Sequence, residues 1–148
     1  MEYTASKTIE DELKKHGTYA TNTVGVSMKP LFKTHRDAVV LKAADREMKK
    51  YDVVLYTDKI GRYILHRIIA IKEDRYVIRG DNTFVKEYVP KERVIAFMVS
   101  FNRKGRHHST DELGYRIYSR VWNFIYPARF LFNKFLVLVR KVKRKISK

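Results

Sequence analysis

The sequence predicts a mainly β protein, with an antiparallel sheet domain between a short N-terminal helix and a C-terminal amphipathic helical extension. Three observations predict it. Between about residues 18 and 101, short runs rich in Val, Ile, Tyr and Phe recur at roughly ten-residue spacing, divided by tight turns such as Asp58-Lys59-Ile60-Gly61 and Gly80-Asp81-Asn82. Before them, residues 6–15 carry acids early and lysines late, with Gly17 as a stop. After them, Ile117, Val121, Phe124, Leu131, Phe135, Leu138 and Val142 fall at helical spacing.

Taken in order, Ser6 or Thr8 caps the first helix. Residues 18–26 form a strand entering a turn at Ser27. Asp37–Lys42 and Tyr51–Tyr56 are strands, and the polar stretch 43–50 between them is a turn of helix. Arg62–Ile71 is a long strand, Lys72-Glu73-Asp74 turns it into Arg75–Arg79, and Val94–Phe101 closes the sheet. From Asn102 the chain becomes polar and basic around Gly105. The boundary falls there, giving a β-rich unit over 1–104 and a basic, aromatic-rich helical tail over 105–148. Ser109-Thr110-Asp111-Glu112 starts the tail helix, and Pro127 breaks or kinks it.

The 148 residues suit one domain plus an appendage. Cysteine is absent, which excludes disulfides and thiol chemistry. The net charge of +16 is uneven: residues 1–100 hold 19 basic and 14 acidic groups, whereas residues 101–148 hold 13 and 2. A basic surface for an anionic membrane or a nucleic acid is therefore concentrated in the tail. The N-terminal stretch, with Glu2, Glu10, Asp11 and Glu12, reads as neither a secretory signal nor a membrane anchor. No cofactor or metal is expected; His107 and His108 lack partner ligands at metal-site spacing.

Gly25-Val26-Ser27-Met28-Lys29-Pro30 reads either as a plain strand-to-turn junction or as a nucleophile turn. A serine needs a base and a rigid mount. Gly25 removes a side chain just ahead of the hydroxyl, Pro30 fixes the backbone just behind it, and Met28 anchors the turn. His66, among apolar residues of the long strand, is either a half-buried ring or a proton acceptor at neutral pH. Two acids, Asp81 and Glu87, are placed to orient such a histidine.

In order and spacing, Gly25-x-Ser27-Met28-x-Pro30, Asp52-Val53-Val54, His66-Arg67-Ile68 and Gly80-Asp81-Asn82 resemble the signal peptidase I and LexA-type superfamily of serine peptidases, over about residues 20–100. The resemblance implies a signal-peptidase/LexA-like β fold with Ser27 as nucleophile and its backbone N–H as one oxyanion donor. Where many members carry a lysine base, this chain has His66, as in the endoplasmic-reticulum and archaeal branch. There an acid six residues after the Asp of Gly-Asp-Asn completes the site; here that residue is Glu87 rather than aspartate, with Asp81 as the alternative. Tyr51 departs from the family's glycine, and the usual N-terminal anchor has no counterpart in this sequence.

The expected activity is serine endopeptidase cleavage of a leader or signal segment of a peptide or preprotein. Small residues before the scissile bond are implied by the resemblance alone. Residues 115–148, with Arg129 and Lys134 inside their apolar run, read as an interfacial helix on an anionic leaflet; each charge at a bilayer centre costs about 2.5–3.5 kcal/mol, so a span is not expected. The expected location is thus peripheral to a membrane, otherwise cytoplasmic. The rivals are a helical hairpin packed on the β unit or on a dimer partner, a non-catalytic membrane- or nucleic-acid-binding module, and a LexA-type self-cleaving regulator.

Overall fold

A computed structural model describes residues 8–146. In chain order these form α1 (Ile9–His16), β1 (Thr18–Asn22), β2 (Ala38–Ala43), β3 (Val53–Thr57), β4 (Tyr63–Ile71), β5 (Arg75–Arg79), β6 (Glu87–Pro90), β7 (Val94–Arg103), β8 (Arg106–Ser109), α2 (Leu113–Phe124) and α3 (Tyr126–Ile146). The eight strands make one antiparallel sheet in the order β1-β2-β7-β3-β4-β5-β6, with β8 added beside β7. The protein is mainly β, flanked by helices at both ends.

Local chemistry explains α1. Thr8 and Asp11 form a reciprocal capping box, and Leu13 is the helix residue driven into the core. Ser6, the other cap expected, lies outside the described residues.

Several expectations are corrected. Val94–Arg103 does not close the sheet; β7 lies inside it, between β2 and β3. Its unbroken apolar run from Val94 to Val99 suits a strand covered on both faces. Residues 43–50 hold no helix: the Asp52 carboxylate takes the Lys49 N–H, Tyr51 adopts φ +79°, and Met48 buries itself under Tyr76. Strand β1 ends at Asn22 instead of running to the turn, and β6 is a strand that was not expected. Residue 104 lies in the turn of the β7–β8 hairpin, and the first tail helix starts at Leu113, directly after the Ser109–Glu112 start expected.

The sheet separates two cores. On one face Met28, Leu31, Phe32, Leu41, Leu55 and Met98 pack together with α1 and with Tyr115 and Tyr118 of α2. On the other, Val54, Tyr56, Ile68, Ile78, Val89 and Phe97 form a second cluster. Because directly paired residues share a face, the register of β3 to β6 decides which polar side chains meet.

Candidate active site

Ser27 sits on the long connection from β1 to β2, mounted on both sides. Met28, Leu31 and Phe32 sink into the first core and hold the stretch behind the serine. Asp37, fully buried, ties the connection's far end: its carboxylate accepts from the backbone N–H of Lys33 (2.7 Å) and Lys104 (3.1 Å) and from the Arg36 guanidinium. The Arg36 hydrogen bonds, joined by those N–H groups, bring its pKa down to about 2. Gly25 takes φ +89°, a conformation glycine reaches without strain. Among the described residues, neither the N–H nor the hydroxyl of Ser27 is engaged in a hydrogen bond.

The turn after β5 brings this loop to the histidine, and its three residues do different things. Gly80 lies in the closest gap: a Cβ built on it would stand 2.7 Å from the Ser27 carbonyl oxygen and 3.1 Å from His66 Nε2. Any side chain there would push the serine loop off the imidazole. Asn82 clamps the loop, its N–H donating to the Ser27 carbonyl (2.7 Å) and its side chain to the Val26 carbonyl (3.1 Å). Asp81 turns the other way, toward Arg67.

His66 is buried on β4. Its Nδ1 lies 3.1 Å from Glu87 Oε1 and 3.2 Å from the Tyr56 hydroxyl, and that hydroxyl donates to Glu87 Oε2 at 2.7 Å. These contacts settle the tautomer. A carboxylate only accepts, and the Tyr56 oxygen has directed its single proton at Glu87. Nδ1 must therefore carry the proton, which leaves Nε2 as a bare acceptor beside Gly80 and the serine loop. Burial, and then the hydrogen bond to Glu87 and its charge, push the Tyr56 phenol well above its ordinary pKa, so it stays a donor. Burial lowers the pKa of His66 below the ordinary 6.5, and Glu87 offsets part of that shift. The ring is neutral at pH 7 and ready to take a proton.

Sheet register assembles this group. Ile68 pairs with Ile78 and Ile78 with Glu87, so a single face carries His66, Glu87 and, from β3, Tyr56. Of the four residues expected at the site, the fold brings Ser27, His66 and Glu87 to one place. Asp81 is elsewhere: both its oxygens accept from Arg67 at 2.8 Å, and Tyr118 adds a third bond at 2.9 Å. Tyr56, Gly80 and Asn82 are the site residues that the sequence did not single out for these roles.

Ser27 and His66 open onto a cavity of about 530 Å³ whose floor is apolar, formed by Met28, Phe32, Leu41, Leu55 and Leu65. No protein-family model, curated protein sequence or solved structure matches the chain.

Proposed function

We propose that the protein is a serine endopeptidase of signal-peptidase type, acting through Ser27 and His66. One observation carries this reading: His66 Nδ1 faces the Glu87 carboxylate and a Tyr56 hydroxyl whose proton goes to Glu87, so both accept from Nδ1 and the opposite nitrogen is an unprotonated base facing the serine loop. The Ser27 hydroxyl attacks the carbonyl carbon of an extended peptide while its proton passes to Nε2. The free Ser27 N–H donates to the developing oxyanion. His66, now an imidazolium stabilised by Glu87, gives that proton to the leaving amine. Water then attacks the acyl-enzyme ester, losing its proton to Nε2, and His66 returns that proton to the Ser27 oxygen as the acyl–oxygen bond breaks and the acid is released. The apolar floor of the cavity takes an uncharged side chain next to the scissile bond. The motif order Ser27, His66, Gly80-Asp81-Asn82 supports a leader or signal segment as substrate. Asp81, engaged by Arg67 and Tyr118, touches neither Ser27 nor His66 and acts on the ring only through its charge.

The test compares wild type, Ser27→Ala and His66→Ala on a library of extended peptides carrying small and bulky apolar residues, with a serine-directed phosphonate as label. Wild type should cleave and be labelled at Ser27, and both variants should be inert. Activity needs neutral His66. It should therefore fall as pH drops through a value below 6.5 and stay flat above it. Equal behaviour of all three proteins would defeat the proposal and favour a binding module with the same sheet.

A further inference from the structure

Helices α2 and α3 present two unlike faces. The inward face packs on the protein, leaving one buried Arg129 guanidinium nitrogen without a hydrogen-bond partner. Tyr115 and Tyr118 reach Arg67 and Asp81, and the Trp122 indole N–H and the Arg129 guanidinium both donate to the Asp81 carbonyl at 2.8 Å. Tyr126 and Phe130 close on Phe84. These five aromatics, read from the sequence as part of a membrane face, belong to the domain.

The outward face has no partner. Leu113, Ile117, Val121 and Phe124 on α2, then Leu131, Phe135, Leu138, Val142 and Ile146 on α3, follow one another at intervals of three, four or seven residues. All are exposed, Phe124 by 85% and Leu131 by 66%, and α3 buries no residue at all. The stripe runs past Pro127 because the helical hydrogen bonds Ile125 N–H to Val121 and Arg129 N–H to Ile125 carry across the junction. At 100° per residue it lies opposite the docked positions 115, 118, 122, 126 and 129. Over residues 113–146 there are nine Lys and Arg and no Asp or Glu.

We infer that this stripe docks on the surface of an anionic lipid bilayer, with α2–α3 lying in the plane of the interface. Charge decides among the occupants. A second copy would bring nine more cations against the first nine with no acid on either helix to offset them. A nucleic acid would match the charge but leave an apolar stripe of nine residues unburied. An anionic leaflet matches both: headgroups take the flanking Arg116, Arg120, Lys134 and Lys141, and acyl chains take the stripe. No helix among the described residues is long and apolar enough to cross a membrane, so the helix lies on the bilayer.

Vesicle flotation of the full chain tests it, with phosphatidylglycerol and phosphatidylcholine vesicles and with Phe124→Gln/Leu131→Gln/Leu138→Gln. These side chains are exposed, so the triple variant should keep the wild-type melting temperature. The wild type should float with phosphatidylglycerol vesicles, weaken as ionic strength rises, and bind phosphatidylcholine far less, each basic residue near the surface being worth about fivefold in affinity. The triple variant should bind at least about tenfold more weakly. Wild-type binding to neither vesicle, or equal binding by the variant, would overturn the inference. So would self-association without vesicles that the triple variant abolishes, which would assign the stripe to a second copy.

Discussion

His66 and Arg67 are neighbours on β4, and Gly80 and Asp81 are neighbours in the following turn, yet they serve two different polar networks. Arg67 and Asp81 face one core. There, two 2.8 Å bonds join guanidinium to carboxylate, the remaining guanidinium nitrogen reaches the Tyr51 carbonyl and the Tyr115 hydroxyl, and Tyr118 completes the carboxylate. Both side chains are sealed from solvent. His66 and Glu87 face the other way, and their network stops one bond short: Nε2 is a bare acceptor at the edge of a cavity. A closed network fixes structure, here by docking α2 on the sheet. An open one has a valence left for chemistry. The lesson is that burial and ionic pairing alone do not mark a reactive group; an unfilled position does.

The largest expected effect comes from opening the closed network. Arg67→Met or Asp81→Asn leaves a buried charge without its partner and should cost about 3–5 kcal/mol in urea unfolding. Replacing both, as Arg67→Met/Asp81→Leu, removes both charges and should recover much of that loss. A double variant no better than the worse single variant would mean that the pair has no mutual role.

Removing the charge from the open network should change rate more than stability. In Glu87→Gln the amide oxygen still accepts from Nδ1, so the tautomer and the fold persist, but no negative charge stabilises the imidazolium. Cleavage should slow by roughly a hundredfold, at the lower end of what general acid–base catalysis contributes. The sign of the pH effect is fixed. Glu87 raises the His66 pKa against the lowering by burial, so its removal lets that pKa fall further. The acid limb of the pH–rate profile should then move to lower pH. The same substitution should leave the unfolding midpoint nearly unchanged, in contrast to Asp81→Asn.

How much of this was legible in the sequence follows from the geometry of β4. The strand alternation, the capped α1, and the order Ser27, His66, Gly80-Asp81-Asn82 all rest on local pattern and could be read directly. The choice between Asp81 and Glu87 could not. Near the Lys72-Glu73-Asp74 turn, Ile71 pairs with Tyr76 and Ala70 with Val77; continued unbroken, that register would set His66 opposite Asp81. An irregularity between Ile68 and Ala70 slips it by one residue, so His66 falls opposite Gly80 and Asp81 turns to the Arg67 face. No residue type announces that bulge. Glu87 is likewise decided by its pairing with Ile78 on a strand too short and mixed to read as one. The tail carried a sound helical period, but its aromatics mark both of its faces. Only the packing shows that Tyr115, Tyr118 and Trp122 belong to the domain while Phe124, Phe132 and Phe135 point outward.

Tyr56 gives the smallest expected effect on rate and the finest division within the open network. Its hydroxyl does two things: it donates to Glu87 Oε2, holding the carboxylate in line, and its oxygen supplies a second acceptor to Nδ1. Tyr56→Phe keeps the buried ring and removes both contacts. Glu87 Oε1 still lies 3.1 Å from Nδ1, so the tautomer survives. The loss should be mainly that of a hydrogen bond to a charged acceptor, about 1.5–3 kcal/mol in stability, with roughly fivefold in rate. The acid limb should stay near its wild-type position, because the Glu87 charge remains. If Tyr56→Phe slowed cleavage as much as Glu87→Gln and moved the acid limb with it, the phenol would be what aligns the carboxylate, and the two residues would have to be counted as a single unit.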